Sequence, residues 1–282
     1  MSDLALAISD LSERLTAAGI PQARREARLL VAMATCLPPA TLISDPDQEL
    51  TAASAQRLAD LSRRREAHEP LSRILGWREF WSLRFELAPD IFDPRPDSET
   101  LVETALAWLG EERAIPLRVL DLGTGSGCLL LALLSELPRA EGLGIDLSPG
   151  AARIALANAR NLGLAGRARF VAGEWAQAVA ASFDIVLCNP PYVAERDFSG
   201  LAPEVANFDP KAALCGGVDG LDAYRALADR LPALLAKGGR AFVELGAGQL
   251  DAASRLFEAG GLRVMASRVD LADIPRCVVL AQ

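Results

Sequence analysis

The chain has 282 residues, of which 51% are apolar, so it is long enough for one large domain or for two domains with separate cores. Its net charge is −8, and residues 1–75 hold 9 basic against 10 acidic side chains, which argues against a strongly basic nucleic-acid-binding domain and predicts no stable nucleic-acid partner. No apolar run could cross a bilayer and no signal-peptide pattern opens the chain, so we expect a cytoplasmic protein without a membrane partner. The five cysteines form no C-x-x-C pair, so we expect no metal site and a reducing compartment.

The first 75 residues have apolar side chains at helical spacing. Ile8, Leu11 and Leu15 fall on one stripe, and Thr51 is a suitable N-cap for a later helix. The arginines at positions 63–65 are expected on a solvated helix face. This pattern predicts three domains or segments: a small N-terminal helical domain over residues 1–75, a linker with short strands over 76–100, and a larger domain over 101–282.

The spacing then changes to that of strands, since Trp81, Leu83 and Phe85 alternate with polar residues. Asp97 is placed to cap a helix that runs to about Leu109. From residue 118 onward strands alternate with helices, which predicts an α/β fold with a Rossmann-like, mostly parallel sheet covered on both faces. Two consecutive closing strands predict an antiparallel edge. The strands are expected at 119–122, 142–145, 169–171, 183–187, 241–244, 263–268 and 277–280, and the helices at 128–137, 149–162, 223–235 and 249–259.

One segment, from Val193 to Gly220, has little periodicity and is rich in proline and glycine. We expect a long loop there, and loops of this length in compact domains are usually functional or disordered. The loop begins directly after the reaction motif described below.

A glycine-rich loop follows the first strand of the larger domain, at Gly123-Thr124-Gly125-Ser126-Gly127. Glycines let the backbone pass close to a ligand, and the next helix offers free N–H groups. A dinucleotide fingerprint would place its third glycine at position 128, which is Cys128, whereas the G-x-G-x-G form resembles methyltransferase motif I. The second strand ends at Asp146, whose carboxylate can accept both ribose hydroxyls of a nucleoside.

A second motif, Asn189-Pro190-Pro191-Tyr192, follows the strand at 183–187. The two prolines fix the backbone, so the Asn189 side chain and the Pro190 carbonyl are two rigid acceptors for the N–H groups of an NH₂. Tyr192 offers a flat face on which a planar amide or base can stack. The motif therefore suits methylation of a planar sp² nitrogen, for which alignment matters more than a strong base.

Longer strings narrow the assignment, because they resemble the peptide-chain release-factor glutamine methyltransferases, known as the PrmC or HemK family. The resemblance runs from about residue 5 to the end of the chain. It is carried by the strings Glu69-Pro70-Leu71-Ser72-Arg73-Ile74-Leu75-Gly76, Pro94-Arg95-Pro96-Asp97-Ser98-Glu99, Gly216-Gly217-x-Asp219-Gly220-Leu221 and Glu244-x-Gly246-x-x-Gln249.

The resemblance implies a class I S-adenosylmethionine methyltransferase that methylates the side-chain nitrogen, N5, of the glutamine in the Gly-Gly-Gln motif of class I release factors. S-adenosylhomocysteine would be the second product, and the N-terminal helices would dock the protein substrate. Asn189, Pro190 and Tyr192 would be catalytic, with Pro191 completing the substrate site. The implied cofactor contacts are Gly123, Thr124, Gly125, Ser126, Gly127, Asp146, Trp175 and Asn189.

Other functions remain open from the residues alone. The same tetrapeptide occurs in enzymes that methylate exocyclic amino groups of DNA or RNA, although the near-neutral N-terminal helices argue against this alternative. A ribosomal protein is a second possible carrier of the methylated glutamine. A non-enzymatic nucleoside-binding protein on the same fold is a third alternative, against which the intact motif at Asn189 argues.

Overall fold

The structure, a computed structural model, describes residues 3–175, 177 and 179–282. It divides into two compact units, which are described separately. The first unit comprises Met1–Gly76 together with Pro203–Phe208, and the second comprises Trp77–Ala202 and Asp209–Gln282. None of the predicted site residues falls outside the described residues.

The helices fall in both units. In the described part of the chain, the α-helices are α1 (Leu4–Ala17), α2 (Ala23–Thr35), α3 (Thr41–Ser44), α4 (Ala52–Glu66), α5 (Leu71–Leu75), α6 (Glu99–Leu109), α7 (Cys128–Glu136), α8 (Pro149–Asn161), α9 (Pro203–Phe208), α10 (Lys211–Leu214), α11 (Asp222–Leu234) and α12 (Leu250–Ala259).

The first unit is helical, and its helices begin where the sequence provides caps. The side chain of Asp3 accepts a hydrogen bond from the Leu6 N–H at the start of α1, and Thr51 accepts one from the Ser54 N–H at the start of α4. The predicted apolar stripe on α1 is buried. One prediction is wrong: Arg65 is buried, because its guanidinium pairs with carboxylates inside the unit.

The second unit is built on a seven-stranded sheet and a separate two-stranded hairpin. The strand order in the sheet is β5-β4-β3-β6-β7-β9-β8, and β9 is antiparallel to both of its neighbours. The strands are β1 (Trp77–Phe80), β2 (Leu83–Glu86), β3 (Arg118–Leu122), β4 (Glu141–Asp146), β5 (Ala168–Ala172), β6 (Phe183–Cys188), β7 (Leu235–Glu244), β8 (Arg263–Val269) and β9 (Pro275–Ala281).

This sheet confirms the predicted α/β fold with an antiparallel edge. Alternate residues of the central strands enter two cores, as period-two spacing requires. Val119 of β3 packs with α6 and α7 on one face, and Leu120 packs with α11 and α12 on the other. Since β3, β4 and β6 are parallel, their carboxyl ends meet at one edge, which is where ligands bind in open α/β sheets.

The first hairpin corrects the prediction of a continuous strand through Trp81. Trp81 and Ser82 form the turn between β1 and β2, with φ angles of 54° and 57°. A two-residue hairpin turn needs such positive φ values, which usually call for asparagine or glycine. Glu99 supports the turn, because its carboxylate accepts the Trp81 N–H at 2.8 Å.

Three further predictions need correction. Asp97 does not cap a helix: it lies within a 3₁₀ turn at Pro96–Ser98, and α6 begins at Glu99 without a side-chain cap. Strand β7 begins at Leu235 rather than at residue 241, because Leu235 pairs with Phe183 before an irregularity in the register. The segment 193–220 is less irregular than expected, since it contains a 3₁₀ turn together with α9 and α10.

No helix in the described ranges is both long enough and apolar enough to cross a membrane.

Candidate active site

The carboxyl ends of β3, β4 and β6 surround a cavity of about 340 Å³ in the second unit. The loop after β3, the end of β4 and the residues after β6 all reach it. Eight of the predicted site residues line this cavity: Gly123, Thr124, Gly125, Ser126, Asp146, Trp175, Asn189 and Pro191. The three other predicted residues, Gly127, Pro190 and Tyr192, are not among its lining residues.

Asp146 organises the glycine-rich loop. Its two carboxylate oxygens accept the backbone N–H groups of Gly125 and Ser148, each at 2.9 Å. Gly125 has a φ of 54°, and a Cβ built on it would meet nothing within 4 Å, so the backbone is open towards the cavity. The loop and the carboxylate that would hold a nucleoside are therefore one hydrogen-bonded assembly.

Gly127 has a packing role. Its φ is 82°, and a Cβ there would lie 3.1 Å from the Ala155 Cβ and 3.2 Å from the Leu131 side chain. The absent side chain allows α7 and α8 to approach each other. Gly127 thus sets where α7 begins without contacting the cavity itself.

A buried carboxylate lies beneath the loop. Asp121, on β3, has no exposed surface, and its Oδ2 accepts the Thr124 hydroxyl at 2.6 Å. Its Oδ1 has no hydrogen-bond partner among the described residues. Burial raises the pKa of Asp121 to about 7. The Thr124 hydroxyl and the Leu130 backbone oppose this rise, and the nearby Asp146 carboxylate contributes to it. A positively charged ligand would favour the ionised form of this group.

The motif at 189–192 is held from several sides. The Asn189 Nδ2 donates to the Ser98 hydroxyl at 3.0 Å, and the Tyr192 hydroxyl donates to Oε1 of Glu244 at 3.3 Å. The backbone carbonyl of Tyr192 accepts from Nε2 of Gln249 at 3.0 Å. The backbone and both polar side chains of the motif therefore have fixed partners.

Glu244 is a site residue that the sequence-based reasoning did not single out for a role. It ends β7, is only 1% exposed, and its Oε2 has no hydrogen-bond partner in the described part of the chain. Burial raises the pKa of Glu244 to about 7, while the Ser98 hydroxyl, Arg276 and the Tyr192 hydroxyl oppose that rise. Its string, Glu244-x-Gly246-x-x-Gln249, was a signal of family but not of function.

Arg95 and Glu99 now have observed contacts. Arg95 forms ion pairs with Asp209 and Asp93 and lies over the Phe92 ring at 5.2 Å. Glu99 holds the β1–β2 turn, as described above. Neither side chain lines the cavity. The lining residues that the sequence did not assign to the site include Ile91, Phe92, Pro94, Ser98, Ala212 and Ala213.

Comparison with known proteins agrees with this geometry. Residues 7–76 match the family described as PrmC N-terminal domain, and residues 116–266 match a family described as methyltransferase domain. A release factor glutamine methyltransferase of Rhodospirillum rubrum is 51% identical over 266 residues, covering 94% of this chain and 81% of that protein. The chain belongs to the release factor glutamine methyltransferase family.

Two further comparisons support the assignment. The release factor glutamine methyltransferase of Bradyrhizobium diazoefficiens is 45% identical over 270 residues, covering 95% of this chain and 91% of that protein. A solved ribosomal protein L11 methylase from Lactobacillus delbrueckii has a TM-score of 0.51 at 16% identity, covering 70% of this chain and 83% of that one, which shows the fold alone.

The chain is therefore an S-adenosylmethionine-dependent methyltransferase with a class I fold. The residues that contact the cofactor and the substrate are a prediction.

Proposed function

We propose that this release factor glutamine methyltransferase methylates N5 of the glutamine in the Gly-Gly-Gln motif of class I release factors. The products are N5-methylglutamine, S-adenosylhomocysteine and a proton. One observation carries the proposal: Asn189 and Pro191 of the substrate motif line the same cavity as the glycine-rich loop and Asp146. Cofactor and amide can therefore meet without rearrangement of the sheet.

The residues around the cavity fit the cofactor. A volume of about 340 Å³ lies within the usual range for small-molecule sites. The carboxylate of Asp146 has acceptor capacity left for ribose hydroxyls, Trp175 provides an adenine wall, and the open backbone at Gly125 allows close approach. S-adenosylmethionine, when bound, supplies an electrophilic methyl group on a positively charged sulfur. The ionised form of buried Asp121 beneath the loop complements that charge.

The chain's own residues hold the glutamine amide. Asn189 Oδ1 and the Pro190 carbonyl accept the two amide N–H groups, and Tyr192 provides a face for the planar amide. These hydrogen bonds strengthen as positive charge develops on the amide nitrogen, so they stabilise the transition state more than the bound substrate. No side chain has to remove a proton before methyl transfer.

We further propose that the first unit docks the release factor and that the reaction takes place in the cytoplasm. The match of residues 7–76 to a domain found in this family supports a family-specific role for the unit. The described cysteines are all free thiols, which is consistent with a reducing compartment.

The decisive experiment uses labelled S-adenosylmethionine, the purified chain and a class I release factor, beside a release factor whose Gly-Gly-Gln glutamine is changed to alanine. Mass spectrometry should locate one methyl group on the loop glutamine, and the changed release factor should remain unlabelled. Label on a ribosomal protein or on nucleic acid instead would overturn the substrate assignment.

A matched pair of variants tests the site. Asn189→Ala should abolish labelling, because it removes an acceptor for the amide. Asn161→Ala is the control, since Asn161 is exposed and its side chain bonds only Glu86 among the contacts recorded for it. Equal labelling by both variants would contradict the proposed role of Asn189.

A further inference from the structure

The Asn189 amide is held by a hydroxyl that also lines the cavity. Its Nδ2 donates to Oγ of Ser98 at 3.0 Å, although the two residues are 91 positions apart in the chain. Ser98 is 2% exposed and stands where the 3₁₀ turn at Pro96–Ser98 meets α6. A buried hydroxyl that accepts one hydrogen bond still has its own proton to donate.

The buried Glu244 carboxylate is the candidate acceptor for that proton. No residue in the described ranges forms a hydrogen bond of full geometry to its Oε2, yet the Ser98 hydroxyl interacts with the carboxylate closely enough to lower the pKa of Glu244. An unpartnered anionic oxygen in a buried site attracts the nearest available donor strongly. The other oxygen, Oε1, accepts the Tyr192 hydroxyl at 3.3 Å.

These contacts give the network a direction. An ionised carboxylate can only accept, so a Ser98 hydroxyl that donates to Glu244 must accept from its other neighbour. That neighbour is the Asn189 amide, whose NH₂ group donates to Ser98. Its oxygen is then the atom available to a substrate amide.

We propose that Ser98 and Glu244 are positioning residues that fix the Asn189 amide with its oxygen towards the substrate and hold the Tyr192 ring in place. The inference rests on the proposed function, because it assigns the oxygen of Asn189 to the glutamine N–H. Without the pair, the Asn189 amide can flip and present a donor to a group that needs an acceptor. The Ser98–Glu244 pair thus favours a nitrogen that carries N–H donors as the group to be methylated.

The direction reverses if Glu244 is protonated. Its carboxyl group then donates to Ser98, the serine proton turns to Asn189, and the amide flips. Arg276 opposes the high pKa of Glu244, while Asp97 adds to it. The remaining titratable groups in the field of Glu244 are Tyr192, Tyr224, Cys128, Cys188 and Cys277, and burial raises the pKa of each of them above its ordinary value.

The first test compares Ser98→Ala and Ser98→Thr with Thr104→Ala. Thr104 has a buried hydroxyl on α6, the helix that follows Ser98, and it donates to the Thr100 carbonyl at 2.6 Å. Ser98→Ala should lower kcat about tenfold with a smaller change in KM, because the lost orientation matters most as charge develops. Ser98→Thr should recover most of kcat, and Thr104→Ala should leave kcat unchanged.

The second test is the pH profile. The kcat of the wild-type chain should fall below about pH 7, the pKa of Glu244, whereas Glu244→Gln should have a low kcat with a weaker pH dependence. Asp121 also titrates near neutral pH but is unchanged in the variant, so the difference between the two profiles isolates Glu244. Combining Ser98→Ala with Glu244→Gln should lower kcat little more than either change alone.

Hydrogen exchange of the Asn189 side chain is a readout that does not depend on methyl transfer. In the full chain with S-adenosylhomocysteine, the Asn189 side-chain NH₂ protons should exchange slowly, and Ser98→Ala should accelerate their exchange by at least about tenfold. A wild-type chain that leaves the release-factor glutamine unlabelled would refute the proposed function alone. An active wild type with unchanged kcat and unchanged NH₂ exchange in Ser98→Ala would refute the positioning role.

Discussion

Replacing Asp121 by asparagine should make the second unit more stable and a poorer cofactor binder. The carboxylate is fully buried beneath the glycine-rich loop, and one of its oxygens is unpartnered among the described residues. Asparagine has nearly the same shape, and its Oδ1 can still accept the Thr124 hydroxyl that now bonds Asp121 at 2.6 Å. The substitution therefore removes a buried charge with little loss of packing.

The magnitude follows from the pKa. Burial moves the pKa of Asp121 from 3.8 to about 7, and each pKa unit corresponds to about 1.4 kcal/mol. The folded state holds this proton more tightly than the unfolded state, so the free energy of unfolding falls as pH rises from about 4 to about 7 and is level above that. Loss of the buried charge should raise the free energy of unfolding by about 4 kcal/mol at pH 8 and by much less at pH 5. The new NH₂ replaces an oxygen that has no partner among the described residues, so it lowers the free energy of unfolding by about 1–3 kcal/mol at both pH values.

Urea unfolding followed by tryptophan fluorescence measures the free energy of unfolding of the second unit. All four tryptophans, Trp77, Trp81, Trp108 and Trp175, belong to the second unit, so the signal does not report on the first. Wild type and variant should be compared without cofactor at about pH 5 and about pH 8. Glu244 also titrates near neutral pH, but it is present in both chains and cancels in the difference.

A change in the free energy of unfolding that is equal at both pH values would refute the reasoning, because it does not fit a buried carboxylate that ionises near neutrality. Cofactor affinity gives a second check. A cationic ligand favours the ionised form of Asp121, so wild-type affinity should rise between about pH 6 and about pH 8, and the variant should bind more weakly with a smaller pH dependence.

Two further substitutions test the loop. Gly127→Ala should lower the free energy of unfolding by about 2–4 kcal/mol, because the added Cβ crowds Ala155 and the residue has a positive φ. Gly163 also has a positive φ but lies in open space, so Gly163→Ala should lower it by only about 1 kcal/mol. Equal losses in urea unfolding would contradict the packing role of Gly127. Asp146→Ala removes the acceptor of two loop N–H groups, including that of Gly125, and calorimetry should show at least a tenfold loss of cofactor affinity; unchanged affinity would remove Asp146 from the site.

The sheet and the cofactor loop could be predicted because their signals are local. Short, nearly continuous apolar runs mark β3 and β6, and the spacing of Gly123, Gly125 and Gly127 is contained within five residues. The carboxyl ends of parallel strands meet at one edge, so the approach of Asn189 to the loop follows from topology. The fold, and the grouping of these residues at one cavity, could therefore be predicted from the sequence.

The side chains that hold the site residues in place could not be predicted from the sequence, because they make contacts between positions far apart in the chain. Ser98 meets Asn189, and Tyr192 meets Glu244 across 52 residues, with no periodicity to announce either contact. The hairpin turn at Trp81 was missed for another reason. The positive φ of Trp81 is maintained by a tertiary hydrogen bond to Glu99, and the turn lacks the glycine or asparagine that would indicate it in a sequence.

The burial of Arg65 changes how the docking role of the first unit should be tested. Its guanidinium donates to Glu26 at 2.5 Å and to Glu204 at 2.6 Å, and the side chain is 3% exposed. Glu204 lies on α9, which follows the substrate motif in the chain but belongs to the first unit. Deleting residues 1–75 would therefore also remove the partners of α9, and loss of activity would not identify a docking surface.

A single substitution separates these effects. Arg65→Met leaves Glu26 and Glu204 unpaired, which should cost about 3 kcal/mol and release α9. Trypsin should then cleave after Lys211, at the start of α10, at least about tenfold faster than in wild type.

Arg63→Met is the matched control, because Arg63 is 70% exposed on the same helix and its ion pair in the structure is with Asp60. Methylation of a whole release factor should fall in Arg65→Met alone, while cofactor affinity stays constant. Equal rates of cleavage in the two variants would mean that the ion pairs of Arg65 do not hold α9. Faster cleavage of Arg65→Met with normal methylation would mean that the reaction does not need an ordered α9.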